Sequence, residues 1–376
     1  MPIILFDNEK RNQLYPLTAT RAVADLRFGI VTIKERWEIV TKQIVFVRTE
    51  KYLQPLYAGL PDGENIWIDA SVIADEKLIE AILQLQSGEA LIDAGGLIAT
   101  KATNTDAFDK TIRVDIVKRI TYPWNLFQWN DEMLRKDFEL ITKGRTSHLI
   151  SSTNHIYAAN NIFIEEGASV EFATLNSKSG PIYIGKNAEV WETSVIRGPF
   201  AIKENAVIKA GAKMYGATTI GPWCAAGGEI KNAVIMGYSN KAHDGYLGDA
   251  VIGHWCNFGA GSSNSNVKNT GGDVYMQDYI TQQKVNAGIK CGVIMGDYSR
   301  VAINSSVNTG SVIGVSANVF GAGLLPKIID DFSWGTSEEY EFDKAVRDID
   351  NWKRMKHQQV SDMEVEVLKH IFAAKN

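Results

Sequence analysis

Cysteine is scarce in this chain of 376 residues: Cys224, Cys256 and Cys291 are odd in number, and none stands in a C-x-x-C pair. That excludes a zinc or dithiol site of closely spaced cysteines and predicts free, buried thiols in a reducing cytoplasm. Surplus positive charge is also missing, with 39 Lys and Arg against 44 Asp and Glu and a formal net charge of -5. Neither nucleic acid nor an anionic membrane is therefore an expected partner, and any anionic ligand needs a local basic pocket. No apolar run approaches a membrane span. The opening MPIILFDNEKRNQ is too briefly apolar, and too soon acidic, for a secretory signal.

What is present is a period. Stepping by six from Ile184 meets Val190, Ile196, Ile202, Ile208, Met214 and Ile220. Stepping by six from Ile289 meets Met295, Val301, Val307, Ile313, Val319 and Leu325, and Ile252 and Phe258 keep the spacing in a shifted phase between the runs. Small residues follow four positions later at Ala188, Ser194, Ala206, Ala212, Thr218, Cys224, Ser299, Ser305, Ser311 and Ala317. Six fits neither the helical 3.6 nor the strand 2.0. It fits a left-handed parallel β-helix of hexapeptide repeats, where three hexapeptides make a coil and stacked coils fuse their inward aliphatics into one core. Gly185, Gly221, Gly253, Gly259, Gly296 and Gly314, each next to an aliphatic, are expected at tight corners. The phase slips by two between Ile220 and Ile252, and by one across the polar stretch GSSNSNVKNTGGDVYMQDYITQQK, which reads as a loop suited to ligand contacts.

Upstream, apolar runs at Ile3 to Phe6, Ile44 to Val47, Ile66 to Ile68 and Ala90 to Asp93 alternate with helical spacing over Ala22 to Val40 and Glu76 to Gln86. That alternation predicts an α/β, Rossmann-like domain. Leu126 to Thr142 carries one apolar face and reads as a connecting helix, and Ser337 to Ala374 reads as a helical cap or an oligomer-packing tail. The expected division is 1–123 for the α/β domain, 124–147 for the connector, 148–332 for the β-helix and 333–376 for the cap.

The segment SNKAHDGYLGDAVIGHWCNFGAG, Ser239 to Gly261, resembles the acetyltransferase half of the bifunctional N-acetylglucosamine-1-phosphate uridyltransferase/glucosamine-1-phosphate N-acetyltransferase family, GlmU. The family's Tyr-Leu-Gly-Asp-Ala, Ile-Gly and Asn-hydrophobic-Gly-Ala-Gly stretches stand here in order. Lys-Ala-His is one glycine shorter than the family stretch, and Asn266-Val267 stands where the family has Asn-Tyr. The resemblance implies His243 as catalytic base, Tyr246, Asn257 and Asn266 against the acceptor sugar, and Lys213 and Lys231 on its phosphate. It places Ile303 and Gly321 along the coenzyme A channel. The chemistry agrees, because an amine attacking a thioester must be neutral and a histidine titrates near neutrality. Backbone N–H groups around Gly259 and Ala260 are candidate donors to the oxyanion, and Asp244 reads first as a solvated loop carboxylate, with orienting His243 as the alternative. Acetyl-CoA is the implied co-substrate and a sugar phosphate the acceptor, in nucleotide-sugar biosynthesis. Relatives of this kind are homotrimers with the acyl-CoA cleft between neighbours.

Leu5 to Trp37 resembles the opening of sugar-1-phosphate nucleotidyltransferases through Leu14, Pro16, Leu17 and Thr18. The whole chain is similar to a divergent, GlmU-like branch of sugar nucleotidyltransferases. Arg11, Arg21 and Asp25 are the nucleotide-binding candidates, and ion pairing within the first turn is the alternative role for all three. Asp7 and Asn8 occupy the place of glycines that let backbone amides approach phosphates. Two rival functions follow. One is a UDP- or dTDP-sugar pyrophosphorylase with Mg²⁺ on carboxylates such as Asp93 or Asp115. The other is a non-catalytic trimeric scaffold.

Overall fold

A computed structural model describes residues 1–375. The first third builds β1 (Ile3–Phe6), α1 (Ile33–Thr41), β2 (Val45–Arg48), β3 (Asn65–Asp69), α2 (Glu76–Leu83), β4 (Glu89–Asp93), β5 (Gly96–Ala102) and β6 (Lys110–Arg113). β1 and β3 are buried along their whole lengths, as central strands covered on both faces should be. The sheet order is β2-β1-β3-β5-β4-β6. β2, β1 and β3 run parallel, β5 runs antiparallel to β3 and β4, and β6 is parallel to β4. The Rossmann-like arrangement is thus confined to three strands. The helix expected over Ala22 to Val40 begins only at Ile33, where Thr32 and Glu35 form a reciprocal capping box. Before it, Val23, Leu26, Phe28 and Ile30 bury themselves from a short 3₁₀ turn and extended chain, so their apolar spacing reflects packing, not a helix.

The connector is two helices, α3 (Asn125–Gln128) and α4 (Asn130–Thr142), and it joins more than sequence. On α4 the fully buried Asp137 accepts from the Ile30 and Val31 amides at 2.8 and 3.3 Å and from Arg36 through two 2.8 Å bonds. Asn130 accepts from the Gly29 amide at 2.6 Å and donates to the Ala217 carbonyl at 2.7 Å. One buried amide therefore rivets the α/β domain to the solenoid.

The rest is a parallel β-solenoid of three faces. Strands stack in register from coil to coil on the first face at Val195, Lys213, Glu229 and Tyr246, and on the second at Ile202, Ile220, Ile235 and Ile252. The third face stacks Val190, Ile208, Ala226 and Lys241. Thirteen of the fourteen aliphatics of the two runs are at most 2% exposed. The exception is Ile289, 56% exposed, because it belongs to an insertion that leaves the solenoid after Ser263–Asn264 and returns at Ile294–Met295. The first phase slip is not a loop. Ile220 stacks on Ile235 and Ile235 on Ile252, so two successive coils hold 15 and 17 residues instead of 18.

The glycines beside the aliphatics do not supply the corner conformation. None of Gly185, Gly221, Gly253, Gly259, Gly296 and Gly314 has positive φ, and the left-handed corner positions are occupied by residues such as Asn187, Asn205, Trp223, Tyr238, Trp255 and Tyr298. What those glycines permit is close stacking: a Cβ on Gly185 would come within 2.8 Å of the Glu204 amide in the next coil.

Trp223, Tyr238 and Trp255 form a stacked ladder up the corner between the second and third faces, with ring centroids 6.3 and 4.4 Å apart. On it lie α5 (Phe342–Arg354) and α6 (Asp362–Lys375). Lys353 stands over Trp255, Lys356 reaches the Trp223 carbonyl, and His370 stacks on Tyr52 of the α/β domain at 4.0 Å. The expected cap is therefore a brace along the side of the solenoid. All three cysteines are free and buried. Burial pushes Cys224 up to about 11 and Cys291 up to about 12. Among the described residues no helix is long and apolar enough to cross a membrane.

Candidate active site

The short coils create the site. On the first face the odd positions of each strand point outward, giving a lattice of Lys213 and Tyr215, then Glu229 and Lys231, then Tyr246 and Gly248. Gly248 leaves room for the phenol, since a Cβ there would meet the Tyr246 ring. Lys213 is exposed and Lys231 half-buried. Lys213 lies in register with Glu229, and Lys231 sits between Tyr215 and Gly248. Tyr215 donates to Glu229, and that bond, with burial, pushes its hydroxyl up to about 12.

At the shortened corners Asn232 and Asp249 take positive φ, 50° and 47°. Asp249, 4% exposed, accepts from Asn232 at 2.6 Å and from Asn266 at 2.5 Å. Asn266 also donates to the Tyr246 hydroxyl at 3.1 Å. Burial, with Asp249 next, pushes Tyr246 up to about 12, so it stays a neutral phenol near pH 7. Lys213, Lys231, Tyr246 and Asn266 are thereby brought to one face. Tyr215, Glu229, Asn232 and Asp249, which complete that face, were not singled out from sequence. Their signal was the phase slip itself, which marks the corners where Asn232 and Asp249 sit.

His243 lies at the adjoining corner, exposed, three residues before Tyr246. The corner is fixed from both sides, by the Asp244 carbonyl accepting from Gly261 at 3.0 Å and the Gly245 carbonyl accepting from Glu229 at 3.1 Å. Inside it the buried Lys241 donates to the His243 carbonyl at 2.5 Å, and burial lowers its ammonium to about 8. Asp244 is exposed, and among the described residues no hydrogen bond joins its carboxylate to the His243 imidazole, as the reading of it as a solvated loop carboxylate has it. The segment's other histidine, His254, is pushed well below its ordinary value by burial and then by Arg21, which leaves His243 as its accessible imidazole.

Gly259, Ala260, Ile303 and Gly321 climb the same corner coil by coil, Ile303 directly over Gly259 and Gly321 one coil on, with Ile303 67% exposed. The Gly259 N–H is committed to the Val301 carbonyl at 2.8 Å and is not a free oxyanion donor. Asn257 is not with the others. It stacks between Asn240 and Arg300 on the third face, where Lys356 and Trp352 lie across those two neighbours.

In the α/β domain a cleft of about 300 Å³ opens where β1 and β3 end, lined by Asn8, Lys10, Arg11, Asp69, Ser71 and Arg119 among others. Arg11 is buried and holds Asp7 at 2.9 Å and the Thr18 carbonyl at 2.5 Å. Arg21 is buried in a pair with Asp297 of the solenoid, and Asp25 accepts from the Tyr57 hydroxyl at 2.7 Å. Arg11 is thus in an ion pair within the first turn, Arg21 in one across domains, and Asp25 in a hydrogen bond to a phenol. Arg119 donates to Asp93 at 2.6 Å and lies 3.5 Å from Asp69, and Asp115 is exposed. Among the described residues no group of three His, Cys, Asp or Glu could hold a metal ion. Of the two carboxylates expected for Mg²⁺, Asp93 is thus engaged by Arg119 and Asp115 lies exposed.

Fold and site together define a chain with a nucleotidyltransferase-like α/β domain and a hexapeptide solenoid bearing a His, Lys and Tyr cluster. Residues 3–146 match the family model described as sugar nucleotidyl transferase. The chain is 30% identical over 102 residues to the bifunctional protein GlmU of Methanocaldococcus jannaschii, covering 27% of this chain and 24% of that protein. It is 29% identical over 153 residues to GlmU of Trichodesmium erythraeum (40% and 28%), and 27% identical over 206 residues to GlmU of Methanococcus maripaludis (55% and 43%). The matches span less than half the length of these curated relatives. A UDP-N-acetylglucosamine acyltransferase structure from Francisella novicida aligns loosely, at 14% identity over 61% of this chain and 90% of that one, with a TM-score of 0.26. Residues 3–146 are thus similar to sugar nucleotidyl transferases, and part of the chain is similar to GlmU proteins.

Proposed function

We propose that the solenoid is an acetyl-CoA-dependent N-acetyltransferase acting on glucosamine 1-phosphate or a related amino-sugar phosphate in nucleotide-sugar biosynthesis. The observation that carries this reading is the convergence on one corner and face of an accessible histidine, two lysines and a neutral tyrosine. Lys213 and Lys231 hold the phosphate, and Tyr246 and Asn266 meet the sugar hydroxyls. His243 takes a proton from the amine as nitrogen attacks the thioester carbon, the C–S bond breaks, and the thiol leaves. Acetyl-CoA lies along the corner marked by Ala260, Ile303 and Gly321. The reading includes a homotrimer with the cleft between neighbours, and Asn257, on another face, has no part in the site of its own chain.

The test is acetyl-CoA consumption against a panel of amino-sugar phosphates, together with light scattering at micromolar concentration. No turnover on a broad panel defeats the assignment, and a monomer mass defeats the trimer. The family match of residues 3–146 favours sugar-1-phosphate nucleotidyl transfer as the second reading. It requires that UTP or dTTP raise the melting temperature, as a ligand of the folded state does.

A further inference from the structure

The insertion between Asn264 and Ile294 is where the chain departs from a plain solenoid, and it behaves as part of the α/β domain. It carries a hairpin pairing Tyr275–Gln277 with Lys284–Asn286. Val274, Met276, Ala287 and Cys291 are at most 2% exposed and share one apolar cluster with Leu14, Leu17, Leu126 and Phe127 of the α/β domain and its connector. The loop expected to reach toward ligand is therefore clamped.

The clamp centres on Asp278, 2% exposed at the hairpin turn. One carboxylate oxygen caps the turn, accepting from the Ile280 and Thr281 amides at 2.8 and 2.9 Å. The other accepts from Gln13 at 3.0 Å and from the Tyr122 hydroxyl at 3.2 Å. Burial pushes this carboxyl up, and the four donors more than reverse that. Tyr15 packs against Tyr279 with centroids 4.4 Å apart, and Gln128 donates to the Ala287 carbonyl at 2.9 Å. The base of the same insertion is Asn266, whose carbonyl accepts from the Cys291 amide at 3.0 Å while its side chain holds Tyr246 and Asp249.

We propose that the α/β domain is a positioning platform for the acceptor side of the solenoid site, with Gln13 and Tyr122 as positioning residues that act through Asp278 on Asn266 and Tyr246. The proposal rests on the acetyltransferase reading. It gives the α/β domain a task that does not depend on nucleotide turnover, for which Arg11, Arg21 and Arg119 are already spent on ion pairs. Among the described residues the coenzyme A corner, at Ala260, Ile303 and Gly321, has no such tether to the insertion, so acceptor and donor binding should respond differently.

The experiment uses the full chain with Gln13→Ala and Tyr122→Phe combined, the second keeping the ring stacked on Trp124 at 4.5 Å. KM for the amino-sugar phosphate is expected to rise about tenfold, the loss typical of two modest hydrogen bonds, while kcat and KM for acetyl-CoA stay within about twofold. An unchanged acceptor KM overturns the platform. So does a parallel loss in both KM values and kcat with a fallen melting temperature, which is general loosening. Should the double variant not fold, Asp278→Asn carries the same expectation at a smaller amplitude. Wild type acetylating nothing would defeat the function instead. The platform is then judged by amide exchange, where unchanged rates over 265–292 in the double variant overturn it and acceleration confined to that stretch upholds it.

Discussion

Replacing Arg21 by Met separates two accounts of the first turn, because the same guanidinium was a candidate nucleotide ligand and is seen pairing across domains. Arg21 is 6% and Asp297 3% exposed, and Arg21 also touches the Met236 sulfur at 3.0 Å. Breaking a buried pair by removing one partner typically costs about 3–5 kcal/mol, since the other charge stays buried. Here Asp297 keeps the Thr20 hydroxyl at 2.6 Å and the His254 amide at 2.8 Å, which places the loss near the lower end, about 3 kcal/mol. That is roughly a hundredfold in the unfolding equilibrium. The expected result in a denaturant titration followed by tryptophan fluorescence is an earlier transition for the α/β domain. The double variant Arg21→Met/Asp297→Asn should recover much of the loss, because it removes the stranded charge. An Arg21→Met protein that unfolds with wild type but no longer gains stability from UTP or dTTP would refute the weld and restore Arg21 to nucleotide binding.

His243→Ala should lower kcat by about 10² to 10⁴ with binding nearly intact, as loss of a general base does, while Lys213→Ala and Lys231→Ala should act mainly through KM; steady-state kinetics on the three variants decide. Lys241 titrates at about 8 in the fold, lowered from 10.5 by burial, so between those pH values the unfolded chain binds the extra proton and this group's cost to stability fades as pH rises. The melting temperature of wild type minus that of Lys241→Met should accordingly grow from pH 7.5 to 9.5, and a flat or falling difference would contradict a buried ammonium. Cys224, Cys256 and Cys291, all buried with thiols pushed up by desolvation, should resist an aromatic disulfide reagent at pH 7.5 until denaturant is added; fast labelling in the native protein would show the coil of Cys224 or Cys256, or the insertion at Cys291, to be open.

The solenoid was legible because its defining contact is local: each coil repeats the same inward step, so a periodicity in sequence is a column in space. The reading failed at Ile289 because period alone cannot tell a coil from an insertion that happens to keep count, and it misplaced the helix before Ile33 because Val23, Leu26 and Phe28 are buried by tertiary packing without helical hydrogen bonds. The family pattern marked His243 and Tyr246, and the fold sets them at one corner and face, yet it put Asn257 with them when the coil carries that residue to a different face.

What stayed invisible depends on coil length and on distant partners. Asn232 and Asp249 become a linked pair only once two coils contract to 15 and 17 residues, and the same contraction spaces Trp223, Tyr238 and Trp255 by those two numbers into a ladder. The aromatic spacing could therefore have been read alongside the aliphatic slip as one event. Arg21 with Asp297, and Gln13 with Asp278, join positions more than 260 residues apart, and no local pattern encodes such a pairing. In place of glycines that would have met a nucleotide stand residues that pair internally, and beside such internal pairs as Arg11 with Asp7, Arg21 and Gln13 reach across to the solenoid and its insertion. A domain that had merely decayed would lose contacts without direction. One held at Asn130, Arg21 and Gln13 is under a structural demand: Asn130 meets Ala217, Arg21 meets Asp297, and Gln13 meets Asp278 of the insertion.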